Sequence, residues 1–487
     1  MYYPTLEEVK KMGERGNLVP IWCEVSADME TPVSAFLKIA SGGYSFLLES
    51  VEGGERIARY SFLGTEPYKV LRTKTAKEAL SDEDPLKLVK NELDRYRWVG
   101  LPGLPRFCGG AVGYLSYETV RHLEALPLPP NDPLGVPEAV FLFVDTFLVF
   151  DHVTHKIRAV SHVHLDGNIE ASYAEAVKRL EQLVSRLNQS VNPKSHESNP
   201  LQVNKTVRSN FTREQYEAMV ERIRKHIIAG DCIQVVPSQR ISRPVSVHPF
   251  DIYRALRTIN PSPYMYYLHL NDFYIVGASP ELLVRVEDGM VDYRPLAGTR
   301  RRGRDEAEDR ALESELKNSV KEQAEHIMLV DLGRNDVGRV SVPGTVRVPE
   351  QMYVVRYSHV MHLESHVQGK LRPELSPIEA LRVCLPAGTL AGAPKVRAMQ
   401  IIAGVEPDVR GPYGGAVGYI SFSGNLDTAI AIRTIVVKDG IAHVQAGGGI
   451  VYDSVPGEEY QESLNKARAP LKAIEEAEAN SVTGDKR

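Results

Sequence analysis

The sequence predicts an α+β fold of more than one domain with antiparallel connections, and three observations carry that expectation. YSFLLES (44–50), AVFLFVDTFLVF (139–150) and KIRAVSHVHL (156–165) concentrate or alternate apolar residues at strand length. EASYAEAVKRLEQLVSRL (170–187) repeats its apolar residues at spacings of three and four, as one face of a helix does. SRLNQSVNPKSHESNPLQVNKTVRSN (185–210) is polar and aperiodic, and reads as a linker. With 487 residues and about 150 per domain, two to four domains are expected. The predicted division is an α/β unit at 1–185, a linker at 186–210, a longer unit at 211–480 and a tail at 481–487.

Composition narrows the function classes. Hydrophobic residues are 43% and charged residues 25%, which excludes collagen-like, disordered and membrane-embedded chains. Lys+Arg 58 against Asp+Glu 63 gives a net charge of -5, so no basic field attracts a phosphate backbone, and nucleic acid is not an expected partner. Cys23, Cys108, Cys232 and Cys384 lie far apart with no C-x-x-C spacing, which suits a reducing cytoplasm and neither a disulfide framework nor a thiolate zinc site. The start MYYPTLEEVKKMGERG has no apolar signal core, and the most apolar run carries Asp145 and is too short to span a bilayer. Secretion and membrane insertion are not expected.

After the linker, Thr212 with Gln215 forms a capping-box pattern, Tyr216, Met219, Val220, Ile223 and Ile227 make one helical stripe, and Gly230 marks the stop. The run GGAVGY occurs at 109–114 and again at 414–419. It fits either a recurring glycine-then-strand turn or equivalent strands given by each domain to one composite architecture. Farther on, a helical pattern places Glu322 and Glu325 three residues apart, and Glu459 and Glu462 repeat the spacing near the end. Paired carboxylates on two helices suit Mg²⁺, which takes one or two carboxylates, keeps waters and shares an anionic substrate. Solvated helix faces fit the same spacing. Gly298 before Thr299, Gly388 before Thr389, and Gly447, Gly448 and Gly449 in a row fit either anion-contacting backbone or turns. None matches a P-loop or a dinucleotide fingerprint. Arg433 puts a guanidinium into TAIAIRTIVV, so it needs a carboxylate, either from a substrate or from an internal ion pair. His362, in HVMHLES, fits a packed histidine as well as a catalyst.

Eleven blocks occur in a fixed order: QVVPSQR, NPSPYMYYL, GASPELLV, RPLAGTRRRG, AEHIMLVDLGRND, VMHLES, GTLAGAPKVRAM, GPYGGAVGY, AIRT, QAGGGIV and EEYQESLNKAR. Together they resemble the chorismate-utilising enzymes, specifically the large subunit of anthranilate synthase, component I, over nearly the whole chain. The resemblance implies two intertwined α/β domains whose antiparallel sheets pack as a sandwich, with helices outside and the active site in a cleft. It implies that chorismate and ammonia become anthranilate and pyruvate in tryptophan biosynthesis. Glu325 and Glu462 would ligate Mg²⁺ directly, with Glu322 and Glu459 acting through water. Gly298 and Thr299 would meet the substrate ring with Thr389 nearby, and Tyr413, Arg433 and the amides of Gly447, Gly448 and Gly449 would hold the enolpyruvyl carboxylate. Glu281, in SPEL, would protonate the leaving hydroxyl, and His362 would assist elimination.

The alternatives within the resemblance differ at single positions. Isochorismate synthases, which add water, place a lysine where this chain has Gln234, and an amide cannot deprotonate water. Aminodeoxychorismate synthases carry lysine where this chain has Ala297. A non-catalytic tryptophan-binding protein would need losses at the metal and acid positions, and none is seen. No cysteine lies in a G-x-C-x-G turn, so the ammonia source is expected to be a separate glutamine amidotransferase subunit, component II. The resemblance also implies a tryptophan feedback site made of Glu49, Ser50, Pro263, Tyr264, Met265 and Gly418, carried partly by the first domain. There Glu49 can pair an α-ammonium, Ser50 offers a hydroxyl, and the Pro–Tyr–Met turn walls an indole.

Overall fold

Residues 1–50, 59–78, 84–190, 206–357 and 360–484 are described by a computed structural model. Apolar runs of strand length become buried strands here. Among the described residues eleven strands form one sheet and ten form another, and neighbouring strands within each sheet pair antiparallel. From edge to edge the first sheet runs Leu18–Ser26, Lys156–His164, Phe147–Asp151, Tyr60–Thr65, Tyr44–Glu49, Tyr264–Leu270, Phe273–Ser279, Thr434–Lys438, Ile441–Gly447, Ser238–Pro244 and Arg208–Ser209. The second runs Leu296–Arg301, Val360–Lys370, Met290–Tyr293, Leu282–Glu287, Leu426–Ile430, Ala416–Ser421, Gly110–Leu115, Ala139–Val144 and Lys69–Arg72, with Arg347–Arg356 also paired to Val360–Lys370.

Strands from before and after the polar stretch 186–210 interleave in both sheets. Tyr44–Glu49 pairs with Tyr264–Leu270, placing Glu49 opposite Met265. The two GGAVGY copies are neighbours, with Gly113 opposite Gly418. A Cβ at Gly113 would lie 2.0 Å from the Val140 carbonyl oxygen, and one at Gly418 would lie 2.1 Å from that of Asp427. That closeness explains glycine at both positions. Within 186–210 the preceding helix continues to Leu187, Arg208–Ser209 joins a sheet edge, and 191–205 lie outside the described residues. Of the expected tail, the last helix reaches Gly484 and 485–487 lie outside.

Period-two alternation gives each sheet two apolar faces. The inner faces meet in one aromatic core, with Phe46, Phe62, Tyr266 and Ile275 from the first sheet against Val112, Leu142, Val417 and Tyr419 from the second. This is a sandwich. The outer face of the first sheet packs Phe36, Leu180, Phe250 and Ile474 from four helices, and that of the second packs Val330, Val337 and Leu381 from two. The Thr212–Gln215 capping box starts the helix Arg213–Ile228, whose Tyr216, Met219, Val220 and Ile223 are buried, and Gly230 follows at φ +82°. No helix among the described residues is long and apolar enough to cross a membrane.

Between Phe273–Ser279 and Leu282–Glu287 the chain passes from the first sheet to the second, and between Leu426–Ile430 and Thr434–Lys438 it returns. The corners are Pro280–Glu281 and Ala431–Arg433. They are tied together, because the Ile430 amide donates to the Glu281 carbonyl at 3.1 Å and the Ala278 amide to that of Arg433 at 3.2 Å.

Candidate active site and a second cavity

Both corners open into a cavity of about 690 Å³. Its wall includes Gln234, Glu281, Gly298, Thr299, Glu322, Glu325, His362, Thr389, Tyr413, Arg433, Gly447, Gly449, Glu459 and Glu462. Residues read from ten of the eleven blocks thus converge on one space. Gly448 adjoins it, since a Cβ there would stand 3.2 Å from both Glu459 Oε2 and Glu462 Oε1. The glycine turn and the final helix Pro456–Gly484 therefore face each other closely.

Glu281 is buried at the first corner, and burial pushes its carboxyl up to about 8 against a hydrogen bond from Thr389 Oγ1 at 3.0 Å. It is a protonated acid at neutral pH. His362 Nδ1 lies 2.8 Å from the Gly298 carbonyl oxygen. A carbonyl only accepts, so Nδ1 carries the proton and Nε2 keeps its lone pair. Burial pulls this imidazole down to about 4, and the ring is neutral. Gly298 has φ +63°, and a Cβ there would press to 2.9 Å from Glu322 Oε2.

Arg433 sits at the second corner with φ +51°, a left-handed conformation for a residue with a Cβ. Burial lowers its pKa, opposed by Tyr413 and Glu281, and it forms no ion pair among the described residues. A guanidinium on a cavity wall without a carboxylate partner is able to receive an anion. Burial pushes the neighbouring Tyr413 phenol up to about 12, so it remains a donor.

Four carboxylates line the cavity, Glu322 and Glu325 on the helix Val320–Val340 and Glu459 and Glu462 on the helix Pro456–Gly484. Gln234 Nε2 donates to Glu325 Oε1 at 2.9 Å, Arg300 pairs with Glu322 at 3.1 Å, and Lys466 pairs with Glu462 at 2.7 Å. Burial, with the Glu462 charge adding, raises the pKa of Glu459. Among the described residues no three His, Cys, Asp or Glu side chains converge closely enough to hold a metal by themselves. Hard oxygen donors from two helices in one cavity nevertheless fit Mg²⁺, which binds through one or two carboxylates and completes its shell with water and substrate oxygen.

Lys466 and Arg300 were missed by sequence reasoning. Their signals were present: Lys466 follows Glu462 by four on one helix, and Arg300 follows Gly298 by two on one strand.

A second cavity, of about 440 Å³, lies between the sheets and is lined by Glu49, Ser50, Pro263, Tyr264, Met265 and Gly418. Arg285 and Asp427, missed in the sequence, form its polar wall. Arg285 Nε donates to Asp427 Oδ2 at 2.9 Å, and Tyr264 Oη donates to Asp427 Oδ1 at 3.0 Å. The Glu49 carboxylate accepts from Tyr253 Oη and from Arg257 Nε at 3.2 Å on the helix Pro249–Ile259. Strand alternation turns Glu49 to the helix-covered face with Leu47.

A family model described as chorismate binding enzyme matches residues 43–472, and the chain belongs to that family. Within it, the chain is 51% identical to anthranilate synthase component 1 of Acetivibrio thermocellus, over 98% of this chain and 99% of that protein. The crystal structure of anthranilate synthase component I from Streptococcus pneumoniae TIGR4 matches with a TM-score of 0.77 and 38% identity, over 92% of this chain and 98% of that one. The menaquinone-specific isochorismate synthase of Escherichia coli matches with a TM-score of 0.72 at 18% identity, over 96% and 98% of the two chains. That likeness shows the fold alone.

Proposed function

We propose that this chain is the synthase subunit of an anthranilate synthase, converting chorismate and ammonia to anthranilate and pyruvate in tryptophan biosynthesis. The observation that carries the reading is the placement, at the two sheet corners and on one cavity wall, of a protonated acid, Glu281, and a guanidinium without an ion pair, Arg433. Full-length relatives named for this activity support it.

Chorismate has two carboxylates. Arg433, the Tyr413 hydroxyl and the amides of Gly447 to Gly449 bind the enolpyruvyl carboxylate, and the ring lies toward Gly298 and Thr299. Glu325 and Glu462 would hold Mg²⁺, with Glu322 and Glu459 behind them, and the cation supplies charge neutralisation for the ring carboxylate. Fixing both ends presents the ring carbons to the catalytic groups. Ammonia adds at C2 while Glu281 gives its proton to the C4 oxygen, which leaves as water. The C2 proton then departs as the bond to the enolpyruvyl oxygen breaks, releasing pyruvate and an aromatic ring. Neutral His362, with its Nε2 lone pair, assists that elimination.

Water-adding chemistry is disfavoured because the Gln234 amide offers no base and is already donating to Glu325. Ala297 supplies only a methyl group to the cavity where aminodeoxychorismate synthases need lysine. Ammonia comes from a separate glutamine amidotransferase subunit, and tryptophan inhibits from the second cavity. The purified chain with chorismate, Mg²⁺ and ammonium at raised pH should yield fluorescent anthranilate and equimolar pyruvate. Isochorismate, or an amino product without pyruvate, would overturn the reading.

A further inference from the structure

Arg410 is a buried cation outside every role assigned so far. It is 1% exposed, and its Nε and Nη2 donate to the two carboxylate oxygens of Glu406 at 2.9 and 2.6 Å. Its other bonds exceed what an ion pair requires. Nη1 donates to the Leu390 carbonyl at 2.8 Å and Nη2 to that of Val236 at 2.7 Å. The guanidinium also lies 4.4 Å from the Tyr117 ring centre and 5.7 Å from that of Tyr413.

Val236, Leu390 and Tyr413 all line the catalytic cavity and come from three segments distant in sequence. Leu390 directly follows Thr389, whose hydroxyl holds Glu281. A buried Arg–Glu pair is often no more stabilising than apolar side chains of equal volume. Stability alone therefore does not explain this guanidinium. A planar fork, unlike an apolar side chain or a lysine, can bond two separate carbonyls in fixed directions while resting on aromatic faces.

We propose that Arg410 is the positioning residue of the chorismate-binding wall, tying the segments of Val236, Thr389 and Tyr413 into one unit set before substrate arrives. It touches no reacting atom. The inference rests on the function proposed above and deepens it.

The test measures Arg410→Lys and Arg410→Met with chorismate and ammonium varied separately across pH. The expected result is a loss of at least about thirtyfold in kcat/KM for chorismate, with KM for ammonium within about twofold of wild type. The alkaline limb of kcat should also move upward, because a loosened Thr389 no longer lowers the Glu281 pKa. Arg410→Lys should recover thermal stability without recovering the chorismate kinetics. A folded variant with unchanged kcat/KM for chorismate and an unchanged alkaline limb would overturn the proposal, whatever its melting temperature. If neither variant folds, Tyr117→Leu removes only the supporting ring, and an unchanged kcat/KM for chorismate there counts equally against it. Wild-type enzyme that makes no anthranilate sinks the proposed function instead. In that case calorimetric chorismate binding, expected to weaken in Arg410→Lys, still decides the inference.

Discussion

Glu281 derives its chemistry from position, since the same carboxyl on a surface would be ionised at neutral pH. Its folded-state value of about 8 lies above the ordinary 4.5, so the native state keeps a proton that the unfolded chain has lost. The stability this group contributes is present below about 4.5 and is lost as pH rises through about 8. In the proposed mechanism activity needs the protonated form, whereas free ammonia increases with pH. Turnover at fixed total ammonium should therefore be bell-shaped with an alkaline limb near 8, and Glu281→Gln should abolish the step that expels hydroxide. A flat profile through pH 9 would exclude Glu281 as the acid. Arg433→Lys keeps the charge but loses the fork, and should lower kcat/KM for chorismate by about a hundredfold; unchanged kinetics would make the arginine structural. Residue types in ordered motifs made these positions legible. Their partners were not, because the Thr389–Glu281 bond spans 108 residues and nothing local encodes it.

At the scale of elements, two helices bring the carboxylates together. Val320–Val340 carries Glu322 and Glu325, and Pro456–Gly484 carries Glu459 and Glu462. Glu325→Gln or Glu462→Gln keeps the volume and removes one charge, so ammonia-dependent turnover should fall at least about a hundredfold with the circular dichroism unchanged. Higher Mg²⁺ should restore part of the loss, and near-normal turnover would sink the assignment. Helix periodicity was readable here because an apolar stripe and a capping box are local signals, as at Thr212–Gln215. Strand partners were not readable. Tyr44–Glu49 follows the same alternation whichever neighbour it has, and only the assembled sheet shows Tyr264–Leu270 beside it. The same assembly sets the Glu49 carboxylate against Arg257, a partner 208 residues away that nothing local encodes.

For the whole molecule, both cavities share one strand pair. Arg285 stands opposite Asp427 in the wall of the second cavity, and the same two strands lead into the corners bearing Glu281 and Arg433. A ligand that shifts this pair would act on Glu281 and Arg433 together, and if tryptophan inhibits from that cavity as proposed, linkage requires chorismate to weaken its binding in return. Tryptophan should inhibit anthranilate formation, and Ser50→Phe, which fills the cavity, should abolish inhibition while leaving most uninhibited activity. Equal sensitivity in wild type and Ser50→Phe would place the effector elsewhere. The neighbouring GGAVGY strands have a further consequence during synthesis. Gly110–Leu115 leaves the ribosome about 300 residues before its partner Ala416–Ser421, a wait of about 15 to 60 s at ordinary elongation rates. Throughout that wait the nascent chain exposes AVFLFV and its neighbours with one sheet edge open, the condition under which chains aggregate or recruit chaperones. Slowing translation should thus lower soluble yield, and the first half expressed alone should precipitate until the second half is supplied.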